Sequence, residues 1–303
     1  MRNVLLLVLV LVVAGCVTQE DAVEQLPTTC PPVCGGGTGG VETVINYPSE
    51  GSNVYAAERF APSFYLADVG ESNAEGLVCV TGLDGDIFSG LGGCNCQDFY
   101  IVLDEPDDPN FEETYITYQS ASVDSGRTLD QSMTVYTRYL YSTFGVFELC
   151  LTGDPFAEEE CSTTGEKLQG SSGGPVQVTS VTEELTKVGS NAVTVRVVVE
   201  AQVAADANEK LIELEDTTNI DCVLPTDEDA RTKVNMDIVL LGARHECSPL
   251  FFREGEDTAT STCKIENLDT QLFIGGEKEY QGYVEIQYGF QNIQSVGFTV
   301  VSE

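Results

Sequence analysis

Eleven cysteines, one histidine and 49 carboxylates are the side chains through which this 303-residue chain could do chemistry. Cys16 stands apart from the other ten. It follows Met1-Arg2-Asn3, an unbroken apolar run from Val4 to Val13, and Ala14-Gly15. A positive start, a short apolar segment and small residues at the junction read as a secretory signal peptide over residues 1–15. The run is about half the roughly 20 residues that a spanning helix needs. The remaining cysteines are Cys30, Cys34, Cys79, Cys94, Cys96, Cys150, Cys161, Cys222, Cys247 and Cys263. An even set in an exported chain predicts disulfides. Zinc would call for paired C-x₂₋₄-C knuckles, often with histidine. Cys30 and Cys34 have such a spacing, but no second knuckle follows, and Cys94-Asn95-Cys96 is too tight for one. Cys30 and Cys34 are expected to close a small ring. Cys150 and Cys161 bracket a Gly-Asp-Pro turn, and Cys247 and Cys263 fall on adjacent expected strands. Cys79 takes Cys94 or Cys96. Cys222 and the cysteine left over either join across the two halves of the chain or stay free.

The junction Val13-Ala14-Gly15-Cys16 resembles the lipobox of prokaryotic lipoproteins. That resemblance implies cleavage before Cys16 and a diacylglyceryl thioether on its sulfur. The chain would then be held at the outer face of the membrane by buried acyl methylenes. Residues 16–42 read as a tether, with Pro27, Pro31 and Pro32 stiffening it and the run 35–40 of Gly and Thr loosening it. No Lys-Ser/Thr follows the glycines, so they are not a phosphate loop.

Lys and Arg number 14 against 49 Asp and Glu, a formal charge of −35. Removing the leader takes away Arg2 alone, so −35 − 1 gives −36 for the mature chain. Such a surface excludes nucleic acid, which needs basic patches, and gives no electrostatic hold on anionic lipid heads. A salty habitat would account for the scarcity of Lys; an acidic surface protein in ordinary salt is the alternative.

Among the carboxylates, Asp104, Glu105, Asp107 and Asp108 form a weak Ca²⁺ loop candidate, and Glu158-Glu159-Glu160 another; solvated acidic loops are the preferred reading of both. Asp84-Gly85-Asp86 reads as a turn. A glycosidase needs two carboxylates across a cleft, which this many acids neither exclude nor locate. A Ser-His-Asp triad would have to use His245, the single histidine, which lies at an expected strand end. Cys94-Asn95-Cys96 lacks the C-x-x-C spacing of thiol redox enzymes. Tyr115, Tyr118, Tyr136, Tyr139 and Tyr141 could form a recognition patch or fill a core without Trp.

The elements that must position these residues are strands. Short β-branched and aromatic segments recur between Gly, Asp, Asn and Pro clusters, and no window shows a helical stripe. Val234, Met236, Ile238 and Leu240, and Val284, Ile286, Tyr288 and Phe290, alternate with mostly polar neighbours. Each set is one buried sheet face. The expected fold is all-β: two tandem immunoglobulin-like sandwiches over 43–165 and 176–303, with 166–175 as a linker. Phe60-Ala61-Pro62-Ser63-Phe64, the run from Gly76 to Leu83, and Gly174 to Val181 resemble strands of CARDB-like sandwich modules. The whole chain is similar to uncharacterised surface lipoproteins of small-genome archaea. This resemblance implies architecture and carries over no catalytic residue and no cofactor. The expected role is a non-enzymatic surface protein that makes protein or envelope contacts. A secreted carbohydrate-active hydrolase and a substrate-binding lipoprotein of a transporter are the alternatives.

Overall fold

The computed structural model describes residues 39–102, 113–118, 121–123, 126–153, 161–188, 191–222, 231–269 and 278–302. Its strands in the first half are β1 (Val41–Tyr47), β2 (Asn53–Tyr55), β3 (Arg59–Phe60), β4 (Ser63–Asp68), β5 (Ala74–Thr81), β6 (Asn95–Ile101), β7 (Glu113–Thr117), β8 (Ala121–Ser122) and β9 (Leu129–Leu151). Then come β10 (Leu168–Ser171), β11 (Val176–Lys187), β12 (Ala192–Val203), β13 (Glu209–Ile212), β14 (Arg231–Leu240), β15 (Ala243–Glu246), β16 (Leu250–Arg253), β17 (Thr258–Asp269) and β18 (Lys278–Val301). A single 3₁₀ turn, Leu214–Thr218, is the one helical element among the described residues.

The frame is a ribbon of two long antiparallel strands. β9 runs 23 residues and β18 runs 24, paired from Lys278↔Leu151 to Val300↔Leu129. The sequence reads each as two strands broken at mostly polar residues, Met133 to Tyr141 and Phe144 to Leu151 in one, Tyr283 to Phe290 and Phe298 to Val301 in the other. The breaks do not occur because those polar groups are satisfied in place. Buried Thr143 donates to the Val176 carbonyl (2.6 Å), and Gln294 donates to the Thr43 carbonyl (2.7 Å). The second edge of β18 is shared in turn by β14, β13 and, in parallel, β2. The second edge of β9 is shared by β5 and β10. Strands from both halves of the chain therefore join in one sheet, in the order β15-β14-β18-β9-β5-β6, the halves meeting at β18 and β9.

Odd-numbered residues of β9 from Met133 to Leu151 are all buried, so one face of the ribbon is core along that length. Two smaller sheets cover this face side by side. β1-β4-β7 lies over one end, where Thr43 meets Thr137 (2.8 Å between hydroxyls). β11-β12-β17 lies over the other. Here a Cβ on Gly145 would come within 2.9 Å of Val178 and Val284, so only glycine lets β11 approach so closely. Most buried apolar residues of both halves form one continuous cluster, from Val41 to Val300, and Leu77, Cys79 and Cys222 form a small second one.

The segment 166–175 is not an exposed connector. It carries β10, and residues 172–175 are buried, Ser172 donating its backbone N–H to the Phe144 carbonyl (2.7 Å). The tether expected over 16–42 ends inside the fold, since Gly40 and Val41 are already buried.

Candidate functional site

The structure assembles three groups of polar side chains on this frame. The first is a sulfur cluster on the outer face of the sheet. Cys79 on β5 and Cys96 on β6 stand directly opposite one another and are disulfide-bonded. Cys94, just before β6, is bonded to Cys222, 128 residues away. The two disulfides touch: Cys94 Sγ lies 3.8 Å from Cys96 Sγ, and the sulfurs of Cys79, Cys94 and Cys96 all lie within 4.8 Å of one another. The Ile220 carbonyl oxygen approaches Cys94 Sγ (3.0 Å) and Cys96 Sγ (3.2 Å). Disulfide sulfurs carry no proton, so these are contacts and not hydrogen bonds. Cys79 and Cys222 are buried, Cys96 is half-buried and Cys94 is exposed.

Arg138 holds the inner wall of this cluster. It projects from β9 onto the outer face and is fully buried. Its guanidinium donates to the carbonyls of Asn219 (2.7 Å), Asp221 (2.6 Å) and Cys222 (2.8 Å), and to Gln291 Oε1 (2.8 Å). The Tyr136 ring lies 5.6 Å from its Cζ, within cation–π range. Burial lowers the Arg138 pKa, opposed by the charges of Asp216 and Asp221. Composition, spacing and periodicity give no sign of this clamp. Its one sequence signal is an arginine inside a strand otherwise rich in aromatic and apolar residues.

The second group is the tyrosines. Tyr139, Tyr141 and Tyr288 are buried in the core. Tyr139 accepts the Val41 N–H (3.2 Å), Tyr141 donates to Asp68 Oδ1 (3.2 Å) and accepts from Ser72 N–H (3.1 Å), and Tyr288 bridges Thr143 (3.0 Å) and the Val176 N–H (3.2 Å). Burial raises all three phenol pKa values. Tyr118 is buried too, donating to the Val78 carbonyl, while Tyr136 is half-buried against the sulfurs. These rings tie the cover sheets to the ribbon and do not form a surface patch. The side chain of Tyr115 lies outside the described residues.

The third group lines a cleft of about 400 Å³ between β13, the 3₁₀ turn and β14–β16. Leu211, Ile212 and Phe252 line it with apolar surface, and Lys210, Arg231 and Arg253 join Glu209, Glu213 and Asp216 around them. Glu213 accepts the Lys233 N–H (2.8 Å), Glu209 accepts from Asn292 (3.0 Å), and Arg253 pairs with Glu256 (3.6 Å). Lys210 and Arg231 make no ion pair with a described residue. Sequence reading missed this cleft because β13 and β16 are only four residues each and meet through β14 and β18.

Other expected site residues are dispersed. Cys150 is bonded to Cys161 and Cys247 to Cys263. His245 is half-buried on β15 opposite Ile238, and burial lowers its pKa. Asp84 forms a tight turn, its carboxylate accepting the Asp86 N–H (2.9 Å). Cys16, Cys30, Cys34, the loop of Asp104, Glu105, Asp107 and Asp108, and Glu158 to Glu160 lie outside the described residues. No helix among the described residues is long and apolar enough to cross a membrane. No protein-family model and no curated protein matches this chain.

Proposed function

We propose that the chain is a non-enzymatic, lipid-anchored cell-surface protein that acts through structural or binding contacts with protein or envelope partners. It would be made of two immunoglobulin-like sandwich units fused along β9 and β18, carried on a stalk attached at Cys16. The observation that carries this reading is the disulfide framework. Four bonds staple strands and loops of an all-β body, and such frameworks persist in oxidising, exported settings. A body cross-braced in this way suits a contact surface better than a site that must open and close. The test is cross-linking and pull-down from intact cells, with Cys16→Ser beside the wild type. We expect the wild type to partition with membrane and carry lipid mass, and the variant to be released. Retention of the variant in the membrane, with no lipid on the wild type, would remove the anchor from the proposal.

A second reading, a substrate-binding lipoprotein, is favoured by the cleft. Its apolar lining, ringed by six carboxylates against three cations, would suit a small cationic ligand with an apolar body. Loss of ligand-dependent thermal stabilisation in Asp216→Asn, on screening with small amines, is the outcome this reading expects.

A further inference from the structure

We propose that Cys79, Cys94, Cys96 and Cys222 form a tetrathiolate site for a soft, tetrahedral ion such as Zn²⁺ when their two disulfides are reduced. The structure brings three separate stretches of chain together here, with Cys79, Cys94 and Cys96 clustered and Cys222 joined to them through its bond to Cys94. Cys79 and Cys96 are fixed by the β5–β6 register, Cys94 by its place two residues before Cys96, and Cys222 by the Arg138 clamp on the carbonyls of 219, 221 and 222.

Geometry carries the argument. A zinc–thiolate bond is about 2.3 Å, so the sulfurs of a tetrahedral site lie about 3.8 Å apart. Cys94 Sγ and Cys96 Sγ, which belong to different disulfides, are 3.8 Å apart. The three sulfurs of Cys79, Cys94 and Cys96 fall within 4.8 Å of one another, and Cys222 Sγ is bonded to Cys94 Sγ. Reduction lets each bonded pair relax from covalent to contact distance, by less than 2 Å, with no strand changing partner. The Ile220 carbonyl, which faces Cys94 Sγ and Cys96 Sγ, must turn away as the thiolates form.

Electrostatics favours the same state. Four thiolates and one divalent cation leave a charge of −2. The Arg138 guanidinium, sealed behind Cys222, is a fixed counter-charge to it. Cys94 is exposed, which gives reductant and metal a way in.

The chemistry balances as follows. Two disulfides take up four electrons from a phosphine or dithiol reductant, and four protons from water with the phosphine or from the dithiol itself, giving four thiols. A phosphine is converted to its oxide with oxygen from water; a dithiol becomes a disulfide. Metal binding then releases the four thiol protons.

The test uses the purified full chain, reduced with a phosphine under anaerobic conditions and titrated with Co²⁺ as the spectroscopic probe. We expect one equivalent to give the intense visible bands of a tetrahedral thiolate site, bleached by Zn²⁺, and no such bands in the oxidised protein. Thiol alkylation mapped by mass spectrometry supplies a readout that needs no variant. Zn²⁺ should protect Cys79, Cys94, Cys96 and Cys222 at least tenfold against alkylation and leave Cys150, Cys161, Cys247 and Cys263 reactive. Cys94→Ser/Cys96→Ser should lose the bands, and Cys30→Ser/Cys34→Ser should keep them. Absence of tetrahedral bands in the reduced wild type, survival of the bands in the Cys94/Cys96 variant, or protection spread over the other cysteines would each overturn the proposal.

Discussion

Arg138 is a full charge enclosed between a sheet and a loop, and its four acceptors explain why the fold tolerates it. Each stranded carbonyl would cost about 1–3 kcal/mol. Arg138→Met is therefore expected to destabilise the protein by more than about 3 kcal/mol. Arg138→Lys should recover less than half of that, because an ammonium cannot reproduce the planar fork. Urea unfolding of the three proteins measures both. Glu166 makes the complementary case at the surface. Partial burial alone would raise its pKa. The Ser180 hydroxyl (2.6 Å) and the backbone N–H groups of Val181 (2.9 Å), Leu168 (3.0 Å) and Lys167 (3.2 Å) outweigh that and hold it below the usual 4.5. A depressed folded-state pKa contributes stability above the unfolded value, and that contribution is lost as pH falls through the folded value. Glu166→Gln is expected to lower stability at pH 7, and the gap from wild type should narrow below about pH 4.5. Parallel melts at pH 7 and pH 3 check it; an equal gap at both would refute the assignment.

At the scale of elements, period two was legible wherever a strand has one apolar face. Val234, Met236, Ile238 and Leu240 are all buried, as are Val284, Ile286, Tyr288 and Phe290. Strand lengths were not legible, because Thr143 and Gln294 look like turn residues until their partners on other strands are known. The sulfur cluster was half legible. Cysteine parity pointed to disulfides, but the touching of Cys94 and Cys96 across two bonds depends on where 219–222 docks, and that depends on Arg138. The cleft was hidden for the same reason, since its walls come together only through β14 and β18. Backbone proximity also carries information at Gly76, where β5 lies against β9. A Cβ there would overlap the Arg138 carbonyl and crowd Tyr139 Cα, both backbone atoms that cannot swing aside. Gly76→Ala is expected to cost about 1–3 kcal/mol as overpacking does elsewhere, and to speed amide exchange in β5 and β6 more than in β12 and β17. Uniform exchange changes would mean that the strain is not local.

For the whole molecule, charge is the largest unspent term. The chain carries 49 acids against 14 basic residues, and its described ion pairs are few and mostly exposed, as for Arg196–Glu184 and Arg253–Glu256. Pairs of that kind contribute about 0–1 kcal/mol, so long-range repulsion is left largely unbalanced. The Debye length shrinks from about 30 Å at 0.01 M salt to about 3 Å at 1 M. The melting temperature is expected to rise across that range, equally in KCl and NaCl. A flat curve would remove the repulsion argument, and a stronger response to millimolar Ca²⁺ would point to a specific acidic loop.

The position of β18 in the sheet has a further consequence, which concerns time. It is the last of the described strands, yet β9, β14, β13 and β2 all pair with it. A polypeptide that emerges N-terminus first therefore exposes the whole of one β9 edge until β18 appears. The β9–β18 contacts that close the sheet join residues more than a hundred positions apart, as Lys278 does with Leu151, and the β2 contact of Thr299 with Asn53 spans more still. Loop closure over such separations is slow. Closure of the central sheet is thus gated by the arrival of β18, whichever of the smaller sheets have paired before it.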